Sequence, residues 1–187
     1  MGADKARLPF GTMPMLAHVA SRLSSAAGPV LVVAAVGQEL PPLPADVLIV
    51  RDRRPDRGPL EALAAGLAAL PAGVDAAFVT GCDVPLLPPE FVRRMFELLG
   101  DAEAAVPQID GRLHPLAAVY RRSVLATVQQ MLARDQLKLQ SLFDLVPTRF
   151  VNAEELRTVD PQLHSLWNVN TPADLRAALA RALLDAH

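Results

Sequence analysis

Residues 78–87 read Phe-Val-Thr-Gly-Cys-Asp-Val-Pro-Leu-Leu, a stretch in which an apolar run ends at one acidic residue. The apolar run over residues 76–79 predicts a strand buried on both faces, because such strands lose the alternation of apolar and polar side chains. Gly81 and Cys82 follow, and both are small enough for a ligand to approach. Asp83 then stands where the strand stops, and open α/β sheets bind ligands at the carboxyl ends of their strands.

Asp83 is the only carboxylate in this stretch, so it has no neighbouring acid with which to share acid–base work. It could hold a hard divalent cation, since Mg²⁺ takes one or two protein carboxylates and completes its shell with phosphate oxygens. The alternative is that Asp83 is a solvated residue that only caps the helix begun by Pro88 and Pro89. Cys82 lacks the neighbouring cation or base that would activate a thiolate, so we expect it to be a small, half-buried packing residue.

The composition limits the class of protein. We expect a single domain over residues 1–187, a length that supports one sizeable core. The net charge of −2 gives no general attraction to nucleic acid or anionic membranes, and no apolar run approaches the ~18 residues that cross a bilayer. The N-terminal segment is charged and lacks the apolar core of a secretory signal peptide. The chain has one cysteine, which excludes an internal disulfide. We therefore expect a cytoplasmic protein without nucleic-acid or membrane partners.

Helices and strands alternate along the rest of the chain. The hydrophobic pattern predicts helices over residues 14–23, from 58 onward, over 91–99, 123–132 and 139–145, and after Thr171. It predicts further strands over residues 30–36, 47–50, 104–107 and 149–152. In the last helix, Leu175, Leu179 and Leu183 have the spacing of an inward stripe. This order predicts an α/β fold with three layers, a Rossmann-like, mostly parallel sheet covered by helices on both faces.

An arginine-rich loop lies between the second of these strands and the helix that begins at Gly58. Four arginines occur in residues 51–58, and they would either pair with acids on a solvated surface or form a cationic lip over a phosphate-bearing substrate. Gly58 and Pro59 open the helix, whose free N–H groups and positive dipole end suit an anion. Neither pattern alone chooses between these alternatives.

Four segments, in this order, resemble one enzyme family. They are residues 1–6 (Met-Gly-Ala-Asp-Lys-Ala), Asp52 with Gly58-Pro59-Leu60, residues 80–85 (Thr-Gly-Cys-Asp-Val-Pro), and residues 168–175 (Asn-Val-Asn-Thr-Pro-Ala-Asp-Leu). His114-Pro115-Leu116 is similar to another segment of that family. The chain resembles the molybdenum cofactor guanylyltransferases, which are MobA-like nucleotidyltransferases with the fold of the nucleotide-diphospho-sugar transferases.

The resemblance implies that GMP passes from GTP to molybdenum-molybdopterin, that pyrophosphate is released, and that Mg²⁺ is the cofactor. It implies that Lys5 neutralises the triphosphate and that Asp83 binds the metal, both as catalytic residues. The nucleotide-binding residues that it implies are Lys5, Asp52, Gly58, Pro59 and Asp83. Those that it implies for the pterin substrate are His114, Asn168 and Asn170.

Two features depart from the family pattern. The pattern opens with a central strand and a glycine-rich loop that cradles phosphates, whereas this sequence begins inside the pattern, at its methionine. Either an internal methionine is taken as the start or a piece is removed, so we expect the chain as written to lack full activity and to have low stability. The family's nucleotide-contacting asparagine falls near Val33 and Ala34, whose side chains cannot hydrogen-bond, and Glu61 stands where a small residue is usual.

Three functions remain open at this stage. The first is GMP transfer to molybdopterin. The second is a related transfer, either from CTP to molybdopterin or to a sugar phosphate. The third is a non-catalytic carrier of the cofactor or a partner of molybdoenzyme maturation proteins. Turnover with GTP, CTP and UTP side by side separates the first two, and stabilisation by Mg-nucleotide separates both from the third.

Overall fold

In the computed structural model, which describes residues 5–52, 54 and 57–184, a mixed sheet lies between two layers of helices. The strands are β1 (Pro9–Phe10), β2 (Met13–Pro14), β3 (Leu31–Ala35), β4 (Leu48–Asp52), β5 (Ala76–Thr80), β6 (Ala104–Ile109), β7 (Arg112–Leu113), β8 (Ala117–Arg121) and β9 (Thr148–Val151). The α-helices are α1 (Met15–Ser24), α2 (Gly58–Ala68), α3 (Pro89–Leu99), α4 (Leu125–Ala133), α5 (Ala153–Arg157) and α6 (Pro172–Leu184). Short 3₁₀ helices span Lys5–Arg7, Arg122–Val124, Leu139–Asp144 and His164–Leu166.

The elements predicted from the hydrophobic pattern are present, with ends that differ by at most a few residues. Helix α3 begins at Pro89. Proline is well tolerated there, because the N–H of a residue in the first turn of a helix makes no hydrogen bond within the helix. The segment over 139–145 is a 3₁₀ helix. The short hairpin of β1 and β2 and the helix α5 were not predicted, because two-residue strands and a five-residue helix carry too little pattern. No described helix has the length and apolar character needed to span a membrane.

The α/β class is confirmed, but the sheet is mixed rather than mostly parallel. Its strands follow the order β5-β8-β6-β7, and β9 also pairs with β6. Strand β8 runs antiparallel to both β5 and β6, whereas β9 is parallel to β6. The turn at Asp110 and Gly111 explains this reversal, because both residues have positive φ (49° and 76°) and connect β6 to β7 as a tight hairpin.

The central strands present alternate side chains to two separate cores. Ala104 and Val106 of β6 belong to a cluster with α2 and α4. Ala105, between them in sequence, belongs to a second cluster with α3 and α5. Because neighbouring residues of a strand point to opposite faces, this division places helices on both faces of the sheet. The predicted three-layer arrangement is therefore confirmed.

Strand β5 is less buried than predicted. All five of its residues are only partly buried. Its one described ladder is with β8, and β3 pairs only with β4 among the described strands. A cavity of about 510 Å³ lies between β3 and β5, beneath α1 and α2, and its walls are mainly apolar, including Leu16, Val30, Val32, Leu67, Phe78 and Val79. The edge of β5 opposite β8 borders this cavity, which explains the exposure.

Helix α6 packs with a slightly different face from the predicted one. Leu175, Ala178 and Leu179 contact the cluster that contains Val169, and Ala182 continues that face. Leu183 is 68% exposed, so its prediction as an inward residue was wrong. The packed positions follow the spacing i, i+3, i+4 and i+7, and Leu183 comes after them, at the exposed end of the helix.

Candidate functional site

An ion pair between Lys5 and Asp83 lies just beyond the carboxyl end of β5. The Lys5 Nζ is 2.8 Å from the Asp83 Oδ2, and the two side chains are 32% and 15% exposed. Strand β5 ends at Thr80, so Gly81 and Cys82 carry the chain over the edge of the sheet to Asp83. The backbone of Asp83 is also fixed, because its carbonyl oxygen accepts a hydrogen bond from the Val169 N–H at 2.8 Å.

Two asparagines complete this group. The Lys5 Nζ donates a hydrogen bond to the Asn170 Oδ1 at 2.6 Å. The Asn168 Nδ2 lies 3.4 Å from the Asp83 Oδ1, as a long hydrogen bond. Three distant parts of the sequence therefore meet in one polar group, which we call the Lys5–Asp83 site and define as Lys5, Asp83, Asn168 and Asn170. All of these four residues were expected from the resemblance to be functional.

The start of α6 holds the two asparagines in place. The Thr171 Oγ1 accepts a hydrogen bond from the Asp174 N–H at 3.1 Å. In return, the Asp174 Oδ2 accepts from the N–H groups of Asn170 at 3.0 Å and Thr171 at 2.8 Å. The hydrogen bond from Asn170, then those from Thr171, lower the pKa of Asp174, and the charge of Lys5 adds a smaller effect. This reciprocal cap fixes the segment that carries Asn168 and Asn170.

Gly81 is required by the position of the Asp83 carboxylate. A Cβ atom built on Gly81 would lie 2.5 Å from the Asp83 Oδ1, far closer than real Cβ contacts. Any other residue at this position would therefore displace the carboxylate. The glycine lets the Asp83 Oδ1 lie close against the backbone, while Lys5 binds the other carboxylate oxygen, Oδ2.

The chemistry of the Lys5–Asp83 site fits a cation that brings most of its own ligands. Within the described part of the chain, no three histidine, cysteine, aspartate or glutamate residues gather as a metal cluster. Asp83 would then supply a carboxylate ligand to the ion. Mg²⁺ suits such a site, since it keeps waters and phosphate oxygens around one or two carboxylates.

No described hydrogen bond or ion pair joins Asp52, Gly58 or Pro59 to the Lys5–Asp83 site. Asp52 ends β4, and its Oδ1 accepts a hydrogen bond from the Arg54 N–H at 2.9 Å. Gly58 adopts the left-handed conformation (φ 67°) at the start of α2. Gly58 and Pro59 line the cavity between β3 and β5, which Gly81 and Cys82 also line. They therefore share this cavity with the residues that lead into Asp83.

Two arginines of the loop over residues 51–58 bind other parts of the protein. The Arg57 guanidinium donates to the carbonyl oxygen of Leu132 at 2.5 Å and pairs with Asp135 at 3.0 Å. Arg51 donates through Nη1 to the carbonyl oxygens of Ala35 and Gln38. The hypothesis of a cationic lip is therefore wrong for Arg51 and Arg57. Arg54 is largely exposed and only 3.9 Å from Glu61, whereas Arg53, Pro55 and Asp56 lie outside the described residues.

His114 lies at the turn between β7 and β8. Its N–H donates to the carbonyl oxygen of Pro107 at 3.0 Å, and its carbonyl accepts from the Ala117 N–H at 3.0 Å. Burial, and to a lesser degree the charge of Arg112, lower the pKa of its ring. The ring is therefore neutral at pH 7. Its described hydrogen bonds are structural, and they leave its predicted contact with the substrate as a prediction.

Sequence reasoning missed two polar residues that line the same cavity. Thr80 is the last residue of β5, and Gln38 lies just beyond β3. The Gln38 Oε1 accepts a hydrogen bond from the Ala35 N–H at 3.2 Å, so the side chain folds back over the strand end. Both positions are at carboxyl ends of strands, which is the signal that identified Asp83 and could have identified them.

Comparisons with known proteins identify the family of this chain. Residues 1–150 match the family described as the MobA-like NTP transferase domain. A protein of Mycobacterium bovis named probable molybdenum cofactor guanylyltransferase is 40% identical over 184 residues, a match that covers 96% of this chain and 87% of that protein. The earlier resemblance is thereby confirmed.

Two solved structures share the fold at low sequence identity. Molybdopterin-guanine dinucleotide biosynthesis protein A from Archaeoglobus fulgidus has a TM-score of 0.79 at 20% identity, with 98% of this chain and 92% of that chain covered. The 2-C-methyl-D-erythritol 4-phosphate cytidylyltransferase of Thermus thermophilus has a TM-score of 0.72 at 21% identity, with 97% and 95% covered. From the family match and the M. bovis relative together, the chain belongs to the family of MobA-like nucleotidyltransferases.

Proposed function

We propose that this protein transfers GMP from GTP to molybdenum-molybdopterin and releases pyrophosphate. The observation that carries the proposal is the Lys5–Asp83 site, which joins a cation, the Asp83 carboxylate and two amides at the carboxyl end of β5. The M. bovis relative, named a probable molybdenum cofactor guanylyltransferase, supports the same reaction. The single cysteine favours a cytoplasmic enzyme.

Lys5 is suited to the negative charge of a triphosphate. Its ammonium has three donors and is held by the Asp83 Oδ2 at 2.8 Å and the Asn170 Oδ1 at 2.6 Å. One donor therefore remains for a phosphate oxygen without loss of either contact. In this position Lys5 would offset the charge that develops on the departing pyrophosphate, which is the main form of catalysis in phosphoryl transfer.

Asp83 is suited to hold Mg²⁺ because Lys5 occupies only one of its two oxygens. Among the described contacts, the other oxygen, Oδ1, has a long hydrogen bond from the Asn168 Nδ2 at 3.4 Å, and Gly81 leaves the carboxylate in its place. When bound, Mg²⁺ neutralises phosphate charge and orients the leaving group. Asp83, for its part, is fixed through both its carboxylate and its backbone carbonyl, so it holds one ligand position without rearrangement.

The transfer itself needs no covalent bond to the protein. A terminal phosphate oxygen of molybdopterin attacks the α-phosphorus of GTP, the new P–O bond forms, and the bond between the α- and β-phosphates breaks to release pyrophosphate. Cys82 therefore needs no nucleophilic role, and it packs against the cluster that contains Ala6 and Leu16. We assign Asn168, Asn170 and His114 to the acceptor.

The nucleotide side of the reaction involves a different set of residues. We assign Asp52, Gly58 and Pro59 to the nucleotide, since Gly58 and Pro59 line the cavity that reaches Gly81 and Asp52 ends the adjacent strand β4. The free N–H groups at the start of α2 favour an anion on that side.

CTP is the second candidate donor. Val33 and Ala34 lie where the family's base-contacting residue is expected, and neither side chain can hydrogen-bond. The T. thermophilus cytidylyltransferase has the same fold, so the fold alone does not distinguish the two nucleotides.

The test is to incubate the protein with Mg²⁺, molybdopterin and GTP, CTP or UTP in parallel, and to identify the products by mass spectrometry together with pyrophosphate. We expect the guanine dinucleotide of the pterin. The cytosine dinucleotide would favour the second candidate, and a nucleotide sugar formed with an added sugar phosphate would favour the other transferase. Binding of molybdopterin without any pyrophosphate would favour a carrier. A preparation that binds neither substrate would refute the proposal.

A further inference from the structure

The loop over residues 84–88, directly after Asp83, contains no helix or strand, so no ladder of backbone bonds supports it. Two side chains from a distant helix support it instead. The His18 Nε2 lies 3.0 Å from the carbonyl oxygen of Pro85. The Arg22 Nε donates to the carbonyl oxygen of Leu87, also at 3.0 Å. Both contacts join α1 to the loop that carries the proposed metal ligand.

His18 and Arg22 are one turn apart on α1, so their side chains lie on the same face of the helix. Because the Pro85 carbonyl can only accept a hydrogen bond, the His18 Nε2 must be the donor. Burial lowers the pKa of the His18 ring, which is therefore neutral at pH 7 with its proton on Nε2. The ring is also packed against Phe10, with 4.7 Å between ring centroids, and this contact limits its rotation.

Helix α1 also supports the other member of the ion pair. The Leu8 N–H donates to the carbonyl oxygen of Lys5 at 3.2 Å, and the Met15 N–H at the start of α1 donates to the Leu8 carbonyl at 2.8 Å. Ala6, next to Lys5, is buried in one cluster with Leu16 of α1. The helix is thus a common support for the Lys5 backbone and for the loop after Asp83.

We infer that His18 is a positioning residue, which sets the place of the Asp83 carboxylate relative to Lys5 through its hydrogen bond to the Pro85 carbonyl. Arg22 acts in the same way one turn later, through Leu87. The inference rests on the proposed function in one respect, that Asp83 holds the divalent cation. It requires no contact between His18 and either substrate, and the sequence gives no sign of it because the hydrogen bond joins residues far apart in the chain.

The test compares His18→Leu, which removes the donor, with His18→Gln, whose amide N–H₂ reaches about as far as the imidazole Nε2. Binding of Mn²⁺ in the presence of GTP is followed by equilibrium dialysis with GTP on both sides, so that the excess of Mn²⁺ on the protein side gives the amount bound to the protein. We expect His18→Leu to weaken Mn²⁺ binding by ~10–100-fold, the usual effect of losing the support of a metal ligand. His18→Gln should bind within about threefold of wild type. Ser21→Ala, an exposed change on the same helix, is the matched control and should bind as wild type does.

Wild-type Mn²⁺ binding by His18→Leu would overturn the inference, and so would equal losses in the Leu and Gln variants. If His18→Leu does not fold, Arg22→Met provides the second variant, since it keeps an aliphatic stem and removes the donor to Leu87. It should weaken Mn²⁺ binding by about 3–10-fold, and unchanged binding would also overturn the inference.

The failure of the proposed function gives a different result. If the wild-type protein binds Mn²⁺ with GTP but forms no product, the proposed reaction is refuted while the comparison of variants stands. If the wild-type protein binds no Mn²⁺, the metal role of Asp83 is refuted. The positioning role is then judged by amide exchange at Val84 and Leu86. His18→Leu must speed that exchange by about tenfold, and His18→Gln must not.

Discussion

Gly81→Ala changes the geometry of the Lys5–Asp83 site without removing any functional group. The added Cβ would lie 2.5 Å from the Asp83 Oδ1, whereas ordinary contacts begin at 3.4 Å, so the carboxylate must move by about 0.9 Å. Displacement of a reacting or binding group by ~1 Å can cost about 100-fold in rate. We therefore expect kcat/KM for GTP to fall about 100-fold, which corresponds to about 2.7 kcal/mol.

The effect of Gly81→Ala on folding should be much smaller. At an effective dielectric constant of ~20, the attraction between Lys5 and Asp83 is about 6 kcal/mol at the observed distance and about 4.5 kcal/mol after a shift of ~0.9 Å. The side chains are 32% and 15% exposed, so solvent screening reduces the difference to about 0.5–1 kcal/mol. Urea denaturation should show this small loss of unfolding free energy.

The assay is continuous measurement of pyrophosphate release with Mg²⁺, GTP and molybdopterin. Gly28→Ala is the matched control, because a Cβ at Gly28 meets no atom within 4 Å and its φ is not positive. Gly28→Ala should keep wild-type kcat/KM. Wild-type kcat/KM in Gly81→Ala would refute the reasoning, since it would mean that the position of the Asp83 carboxylate does not matter to the reaction.

Four other predictions follow from the described contacts. Asp83→Ala should abolish Mg²⁺-dependent pyrophosphate release, while circular dichroism shows an intact fold. The control Asp101→Asn, at an exposed turn, should release pyrophosphate at the wild-type rate. Equal rates in both variants would contradict the metal role of Asp83. Lys5→Met should raise the dissociation constant for GTP by about tenfold in calorimetry, because it removes one charge-assisted hydrogen bond, and an unchanged constant would contradict its phosphate role. Hydrogen bonds lower the pKa of Asp174 in the folded protein, so they stabilise the fold when the carboxyl group is ionised. In urea denaturation, wild type should therefore exceed Asp174→Asn in stability by the full amount at pH 6, and this difference should disappear as the pH falls below about 4. A difference that stays constant with pH would contradict the role of Asp174 in the cap. Amide groups of β5 that point into the cavity should exchange at least tenfold faster than those paired with β8, and uniform protection in nuclear magnetic resonance would contradict the open edge.

Most of the helices and strands, and the position of Asp83, could be predicted from the sequence because their signals are local. An unbroken apolar run identified β5, and Asp83 comes three residues after the end of that strand at Thr80. The pairing of Lys5 with Asp83, by contrast, joins residues far apart in the chain. No local pattern predicts such a contact, and only the resemblance to a family suggested it.

Other features depended on tertiary partners that the sequence does not identify. The sequence of the arginine loop was compatible with a cationic surface over a phosphate-bearing substrate. In the structure, however, Arg57 binds the carbonyl oxygen of Leu132 in α4 and the carboxylate of Asp135 just after that helix. The prediction that Leu183 of α6 points inward was wrong, because the part of α6 that packs against the core ends before this residue. The partial exposure of β5 follows from the cavity beside it, which depends on how the strands pair rather than on their composition.

The most direct test is stabilisation of the protein by Mg²⁺ and GTP together, measured as the free energy of unfolding in urea. If the Lys5–Asp83 site binds the nucleotide through the metal, GTP at ~100 times its dissociation constant should add about 2.7 kcal/mol with Mg²⁺ present. The gain should be largely lost when EDTA replaces Mg²⁺, and in Asp83→Ala. The absence of any gain with GTP, CTP or UTP, or an equal gain in Asp83→Ala, would contradict the proposed role of the site.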